Sequence, residues 1–261
     1  MKILERHDTN AVCHLRLNAP ERLNALSDEM LAALQDQIDA LQSDTSVRVV
    51  VISGAGKAFC AGHDLKQMTA GRQAEDGGKA YFKDLFDRCA AVMMGLQRLP
   101  QPVIAQAHGI ATAAGCQLVA SCDMAVAATG TRFGVNGVNI GLFCSTPMVA
   151  LSRNIPRKHA FEMLVTGQFI DAARAEELGL VNKVVAPETL EAETQALAEL
   201  VASKLGSAVR TGKSAFYEQA QMSVQDAYAY TGDVMVGNML DRDTEEGIGA
   251  FLEKRTPDWS Q

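Results

Sequence analysis

The sequence predicts an α/β fold, and three observations carry that expectation. Valine- and isoleucine-rich runs recur, and each leads through a turn into a helical pattern. Residues 47–52, Arg48 apart, are apolar without alternation, as in a strand buried on both faces. Beyond residue 190 the strand patterns stop and only helical ones follow. The expected organisation is a strand-containing core over residues 1–190 and a helical region over 191–261.

Taken in order, residues 3–6 and 11–17 read as short strands around a turn at Asp8-Thr9-Asn10. Ser27 is a helix N-cap, with Asp28 and Glu29 in the first turn, where the helix dipole favours negative charge. Leu31, Leu34, Ile38 and Leu41 follow at helical spacing. Residues 69–79, with Gly71, Gly77 and Gly78, are expected to be a mobile border of a pocket. Residues 81–99 are helical, with Leu85, Met93 and Leu96 on one side, and Pro100 and Pro102 end that helix. Further strands are expected at 103–106, 124–127 and 181–185. A short helix is expected at 115–121 and an irregular, glycine-rich segment at 133–146. Residues 147–155 and 158–164 read as helices, and the tail as four more, at 190–204, 207–222, 224–239 and 245–254.

Composition excludes several classes. A net charge of -7 argues against nonspecific nucleic-acid binding, which needs a basic surface. The six cysteines form no CxxC pair and no tight framework, so reduced thiols in a cytoplasmic protein are the expectation. Cys60 and His63 have a ligand-like spacing, but no second pair follows, so no metal site is expected. No secretory signal follows Met1, and no run approaches the roughly 18 apolar residues of a membrane span.

Two separated stretches carry the chemistry. The first is Ala58-Phe59-Cys60-Ala61-Gly62-His63-Asp64-Leu65-Lys66-Gln67-Met68. The second is His108-Gly109-Ile110-Ala111-Thr112-Ala113-Ala114-Gly115-Cys116-Gln117-Leu118. Each follows a strand-like run, turns on small residues and enters a helical pattern. Small residues let a ligand approach the backbone closely, and N–H groups at a helix start are unpaired. Two such ends brought together would hold one developing negative charge. Asp64 is expected to cap the helix that follows His63. Cys116 and Cys144 have no partnered base nearby in sequence and read as buried small apolar groups.

Several stretches together resemble one family. These are Asn24-Ala25-Leu26-Ser27, Val50-Val51-Ile52-Ser53-Gly54 before Ala58-Phe59-Cys60-Ala61-Gly62-His63-Asp64-Leu65, and Pro102-Val103-Ile104-Ala105 before His108-Gly109. Cys122-Asp123, Leu164-Val165-Thr166-Gly167 with Leu178-Gly179-Leu180-Val181-Asn182, and the tail motif ending in Lys254-Arg255 follow in the same order. The chain resembles the crotonase (enoyl-CoA hydratase/isomerase) superfamily over nearly its whole length. The run Asn139-Ile140-Gly141-Leu142-Phe143-Cys144-Ser145-Thr146-Pro147 looks like the subgroup called enoyl-CoA hydratase domain-containing protein 3.

The resemblance implies a crotonase-like spiral of ββα units with a C-terminal helical trimerisation domain. It also implies a homotrimer or dimer of trimers, acyl-CoA thioester ligands, and no cofactor beyond the coenzyme A moiety of the substrate. By family position the N–H groups of His63 and Ala114 bind the thioester oxygen. The two glutamates that hydratases use as acid and base fall on Gln117 and Gly137, and a further carboxylate used by dienoyl-CoA isomerases falls on Ser145. Neither amide nor glycine transfers a proton in the usual way. Coenzyme A and the acyl group are expected against Arg22, Leu23, Ala25, Ala61, Asp64, Leu65, Lys66, Ile110, Ala113, Gly115, Asn136 and Gly137, with Lys254 reaching a neighbouring subunit's ligand. Three functions stand open: enoyl-CoA hydratase/isomerase-like enolate chemistry, decarboxylation of a malonyl-type thioester with the His63 side chain orienting a carboxylate and donating a proton, and noncatalytic acyl-CoA binding. Asn136 and Asn139 are expected to satisfy loop backbone.

Overall fold

The computed structural model describes residues 2–259. Strands β1 (Leu4–Thr9) and β2 (Val12–Leu17) form an antiparallel hairpin. Asn10 and Ala11 make its two-residue turn with φ of 48° and 60°, the left-handed pair whose twist matches that of the strands. Helix α1 (Asp28–Leu41) starts where Ser27 accepts from Met30 N at 3.2 Å, and it buries Met30, Leu31, Leu34, Ile38 and Leu41. Strand β3 (Val49–Gly54) begins two residues later than expected, because Arg48 N and Val49 N both point at the Ala11 carbonyl.

Helix α2 (Leu65–Gly71) takes the first part of the segment expected to be mobile. The rest is a turn held by the Asp76 carboxylate, which accepts from Gly78 N and Ala80 N, and it feeds α3 (Lys79–Arg98). Strand β4 (Val103–Ala107) precedes β5 (Ile110–Thr112), α4 (Ala114–Ser121) and β6 (Met124–Ala128). Strand β7 (Arg132–Gly134) leads into a 3-10 turn at Asn136–Ile140, then α5 (Pro147–Asn154) and α6 (Arg157–Thr166). Strand β8 (Ile170–Asp171), α7 (Ala172–Leu178) and β9 (Lys183–Val185) follow. The chain ends in α8 (Leu190–Ala202), α9 (Gly206–Gln219), α10 (Val224–Met239) and α11 (Arg242–Glu253).

The main sheet has the order β1-β2-β3-β4-β6-β9 and is parallel from β2 onward. Alternate residues of each strand face opposite sides. Cys13, Leu15, Val50, Ile52, Val103 and Ala105 pack towards α1, α3 and α4, whereas Val12, Val49, Val51, Ile104 and Val126 pack with Leu190 and Ala198 of α8. Burial on both faces explains why residues 47–52 show no alternation. Helix α8, on the helical side of the expected boundary, thus covers one face of the sheet. A second sheet, β5-β7-β8, sits at the ends of the parallel strands. Its strands are two or three residues long and were not expected. A strand that short carries no readable periodicity, and its existence depends on pairing with distant partners. The mixed α/β class is as expected.

One buried cluster ties α9 to this core. The Lys213 ammonium donates to Asp123 Oδ2 at 2.7 Å and to the Leu96 and Gln101 carbonyls, both at 2.9 Å. All three of its N–H donors are therefore used. Tyr217 O–H donates to Asp123 Oδ1 at 2.7 Å, and Val103 N donates to Asp123 Oδ2 at 2.6 Å. Burial lowers the Lys213 pKa against the pull of Asp123, and burial together with Asp123 raises that of Tyr217. Replacing one member of a buried ion pair strands the other charge. Lys213→Met is expected to cost about 3–5 kcal/mol, and adding Asp123→Asn to recover part of it, measured by urea unfolding.

Candidate active site

The site lies beyond the C-terminal ends of β3 and β4, where ligands of parallel sheets commonly bind. Two ladders of backbone hydrogen bonds assemble it. Cys60 N donates to the Ile110 carbonyl at 3.1 Å, and Thr112 N donates to the Cys60 carbonyl at 3.0 Å. On its other side the same segment meets the loop before α1: Ala61 N donates to the Leu23 carbonyl at 3.0 Å, and Leu26 N to the Gly62 carbonyl at 2.8 Å. The first key stretch therefore runs as a short strand between residues 23–26 and β5.

Asn24 holds that loop. It is fully buried, accepts from Ala19 N at 2.9 Å and donates to the Ala55 and Ala58 carbonyls, both at 2.8 Å. Its φ of 53° is one that asparagine tolerates better than most residues. Sequence reasoning gave Asn24 no role. Its available signal was a lone polar residue among apolar neighbours.

Close approach is enforced by glycine. Gly62 has φ of 89°, and a Cβ there would lie 3.0 Å from Ala113 Cβ and 3.4 Å from Ala114 N. A Cβ on Gly115 would lie 2.1 Å from the Cys60 carbonyl oxygen. Between them Ala113 adopts φ 50° and ψ -118°, a sparsely populated conformation for a residue with a side chain, costing about 1–3 kcal/mol. Ala113 N donates to the Gly134 carbonyl at 2.8 Å, which fixes the sharp entry into α4. Helix α4 starts one residue earlier than expected, at Ala114. Among the described residues, neither the His63 N–H nor the Ala114 N–H finds an acceptor in the chain. Ala114 also sits at the positive end of the α4 dipole.

The side chains around these donors differ in chemistry. His63 Nδ1 lies 3.3 Å from the Leu26 carbonyl, and the ring meets Phe86 of α3 edge-on at 5.7 Å. A carbonyl only accepts, so Nδ1 carries the hydrogen. Burial holds the ring below its ordinary histidine pKa, with Arg88 acting in the same direction and Asp28 against it. Arg88 and Asp28 are themselves paired at 2.6 Å. The neutral ring thus presents Nε2 as an acceptor, and Nε2 is buried with no partner.

Gln117, on the first turn of α4, is 5% exposed, and its Oε1 is likewise buried without a partner. Gly137 is packed so closely that a Cβ would lie 2.2 Å from the Leu142 carbonyl oxygen and 2.8 Å from Cys144 Sγ. Ser145 is exposed, and its hydroxyl reaches the Phe143 carbonyl at 3.5 Å. Asn136 Oδ1 accepts from Thr112 Oγ1 at 2.5 Å, so it bonds a side chain rather than loop backbone, whereas Asn139 Nδ2 donates to the Gly167 carbonyl at 3.3 Å. Burial raises the thiols of Cys116, to about 12, and of Cys144, which keeps both protonated.

Arg22, Leu23 and Ala25 belong to the loop before α1, and Ala61, Asp64, Leu65 and Lys66 to the first key stretch that bonds to it. Asp64 caps α2 as expected, accepting from Lys66 N at 2.9 Å and Gln67 N at 3.2 Å, and it pairs with Arg22 at 3.8 Å. Ile110, Ala113, Gly115, Asn136 and Gly137 belong to β5, the start of α4 and the turn after β7. Lys254 is apart from both groups, at the left-handed end of α11 with φ of 57°. No hydrogen bond or ion pair joins it to them among the described residues.

The sequence matches the family described as enoyl-CoA hydratase/isomerase over residues 7–261. It is 49% identical over 244 residues to the enoyl-CoA hydratase domain-containing protein 3, mitochondrial, of Xenopus laevis, covering 94% of this chain and 81% of that one. The Homo sapiens protein of the same name is 45% identical over 251 residues, covering 96% and 81%. Among solved structures, an enoyl-CoA hydratase from Mycobacterium smegmatis superposes with a TM-score of 0.95 at 53% identity, covering 99% of each chain. The human domain-containing protein 3 superposes with a TM-score of 0.94 at 44% identity, covering 98% of this chain and 100% of that one. These relatives bear out the crotonase-like fold and the subgroup resemblance seen in residues 139–147. They overturn the cytoplasmic expectation: the frog and human proteins are named as mitochondrial. Thiol chemistry is equally compatible with any reducing compartment, which is why cysteine usage could not separate the two.

Gly115→Ala tests how tightly the two stretches must meet. The added methyl would collide with the Cys60 carbonyl, a backbone atom that cannot step aside without breaking the bond from Thr112 N. The expected result is a loss of at least about 3 kcal/mol, the scale of severe overpacking, read as a lowered urea midpoint.

Proposed function

The chain belongs to the enoyl-CoA hydratase/isomerase family, and from that premise we propose that it binds acyl-CoA thioesters and stabilises their enolates at the N–H groups of His63 and Ala114. The observation that carries this reading is the pair of unengaged donors on two segments bridged through Cys60. Removing a proton or a carboxyl group next to a thioester moves negative charge onto the thioester oxygen. Fixed donors aimed at that oxygen typically matter by about 10²–10³ in rate each. Arg22 and Lys66 flank the Asp64-capped turn and are the proposed neighbours of the coenzyme A phosphates, with Leu23, Ala25, Ala61 and Leu65 supplying backbone and apolar contact. No cofactor beyond the coenzyme A moiety is needed for this chemistry.

The reaction within the family is narrowed by what flanks the donors. Water addition needs one group to take a proton and another to give one. Gln117 does neither, and the space at Gly137 is filled by Leu142 and Cys144. Hydration by the usual paired-carboxylate route is therefore disfavoured. Decarboxylation of a malonyl-type thioester with His63 as proton donor is also disfavoured, because its Nδ1–H is engaged and Nε2 is an acceptor. Enolate chemistry without water addition is the reading retained, with noncatalytic acyl-CoA binding as its limit.

A homotrimer or dimer of trimers is part of the proposal. Helices α10 and α11 and the turn between them expose Met235 (61%), Met239 (52%), Leu240 (83%) and Phe251 (82%) in the single chain. Apolar exposure on that scale marks a protein–protein surface. Lys254, at the end of the same helix pair, would then reach a neighbour's ligand.

Crotonyl-CoA hydration, followed by loss of the enoyl-thioester absorbance, is expected at least about 10³-fold below that of a hydratase holding both glutamates, since each acid or base is typically worth about 10²–10⁴. A competent rate would contradict the reading. Mass spectrometry of an acyl-CoA library incubated with the protein then identifies what is turned over, and tight binding without turnover would favour the noncatalytic limit.

A further inference from the structure

His63 Nε2 is a buried acceptor without a donor, in a ring whose other nitrogen is pinned. Buried polar atoms are nearly always paired, so an orphan of this kind calls for a functional reason. The ring and one of the two free N–H groups belong to the same residue, so the orphan acceptor is carried on the segment that offers a donor. We propose that His63 is the base that takes an α-proton from the bound acyl group, its Nε2 receiving the proton while its own N–H and that of Ala114 hold the enolate oxygen; this rests on the acyl-CoA reading above.

Other proton acceptors beside the two N–H groups are unsuited. Gln117 is an amide, Gly137 has no side chain, and the Cys116 and Cys144 thiols are kept protonated by burial. Asp64 is occupied as the cap of α2 and by Arg22. The charged groups that act on the ring are Asp28 of α1 and Arg88 of α3. Asp28 is paired with Arg88 and accepts from Tyr81 O–H at 3.4 Å, so none of the three competes for the substrate's proton.

The step balances without any co-reactant. The α C–H bond breaks, its proton moves to Nε2, and its electron pair forms the enolate carbon–carbon double bond as charge moves to the thioester oxygen. The imidazolium keeps its Nδ1–H on the Leu26 carbonyl, a bond that strengthens with charge. The reverse step returns a proton to carbon. In heavy water a proton on Nε2 that exchanges with solvent between turnovers is replaced by deuterium, which the reverse step delivers to the α-carbon.

The test uses the full chain with butyryl-CoA at saturation in heavy water, reading α-deuterium by mass spectrometry and binding by calorimetry. Wild-type protein is expected to exchange the α-protons, and both His63→Ala and His63→Gln, which keep the backbone N–H, to slow exchange by at least about 100-fold. The base works when neutral, and burial lowers its pKa below the ordinary value of about 6.5. The wild-type rate should therefore climb with pH below neutrality and level off near pH 7. Bound butyryl-CoA without exchange, exchange unaltered in both variants, or a wild-type rate that rises towards acid would overturn the role of His63. Failure of butyryl-CoA to bind at all would overturn the acyl-CoA reading and this inference with it.

Discussion

Two backbone hydrogen bonds, from Cys60 N to the Ile110 carbonyl and from Thr112 N to the Cys60 carbonyl, join the loop after β3 to the strand after β4. The candidate site depends on that junction. It sets Gly62 against Ala113, and Gly115 against the Cys60 carbonyl, at distances no larger residue permits. The parallel pairing of β3 with β4, Val50 opposite Val103 and Ile52 opposite Ala105, delivers both loops to the same end of the sheet. The buried valines and isoleucines on both faces make that delivery stable. The Lys213–Asp123 cluster then fixes the edge where α3, β4 and β6 converge under α9.

The site is built mostly from backbone. The positive character beside the two donors comes from N–H groups and a helix end, and the side chains nearest them in sequence are a histidine whose pKa burial lowers and an amide. Only proline removes a backbone donor, but many substitutions disturb its geometry, which explains the concentration of small residues and the conformation of Ala113. A strained residue persists where its surroundings over-determine it, and here the Gly134 carbonyl and the Gly62 contact do so.

Much of this was legible in the sequence, and unevenly so. The Ser27 and Asp64 caps, the buried face of α1 and the unalternating β3 follow from local chemistry, and each is found within a residue or two of where it was expected. The three short strands of the second sheet were not legible, because a strand of two or three residues is defined by its partners rather than by its own pattern. The pairing of the two glycine-bearing stretches was readable as a hypothesis, but not the bonds that make it. Asn24 stands in a motif that carries the resemblance, but its role as a buried staple, like the packing of Phe86 on a histidine, leaves no periodic trace. The absence of acid and base at positions 117 and 137 was readable, whereas the steric closure around Gly137 required the fold.

The central claim is that the His63 and Ala114 N–H groups together grip one thioester oxygen. Infrared difference spectroscopy of bound butyryl-CoA labelled with carbon-13 at the thioester carbonyl tests it most directly. Two donors on one oxygen polarise the carbonyl, so its stretch should fall to lower frequency than in water. A bound ligand whose labelled carbonyl absorbs at or above its frequency in water would contradict the account.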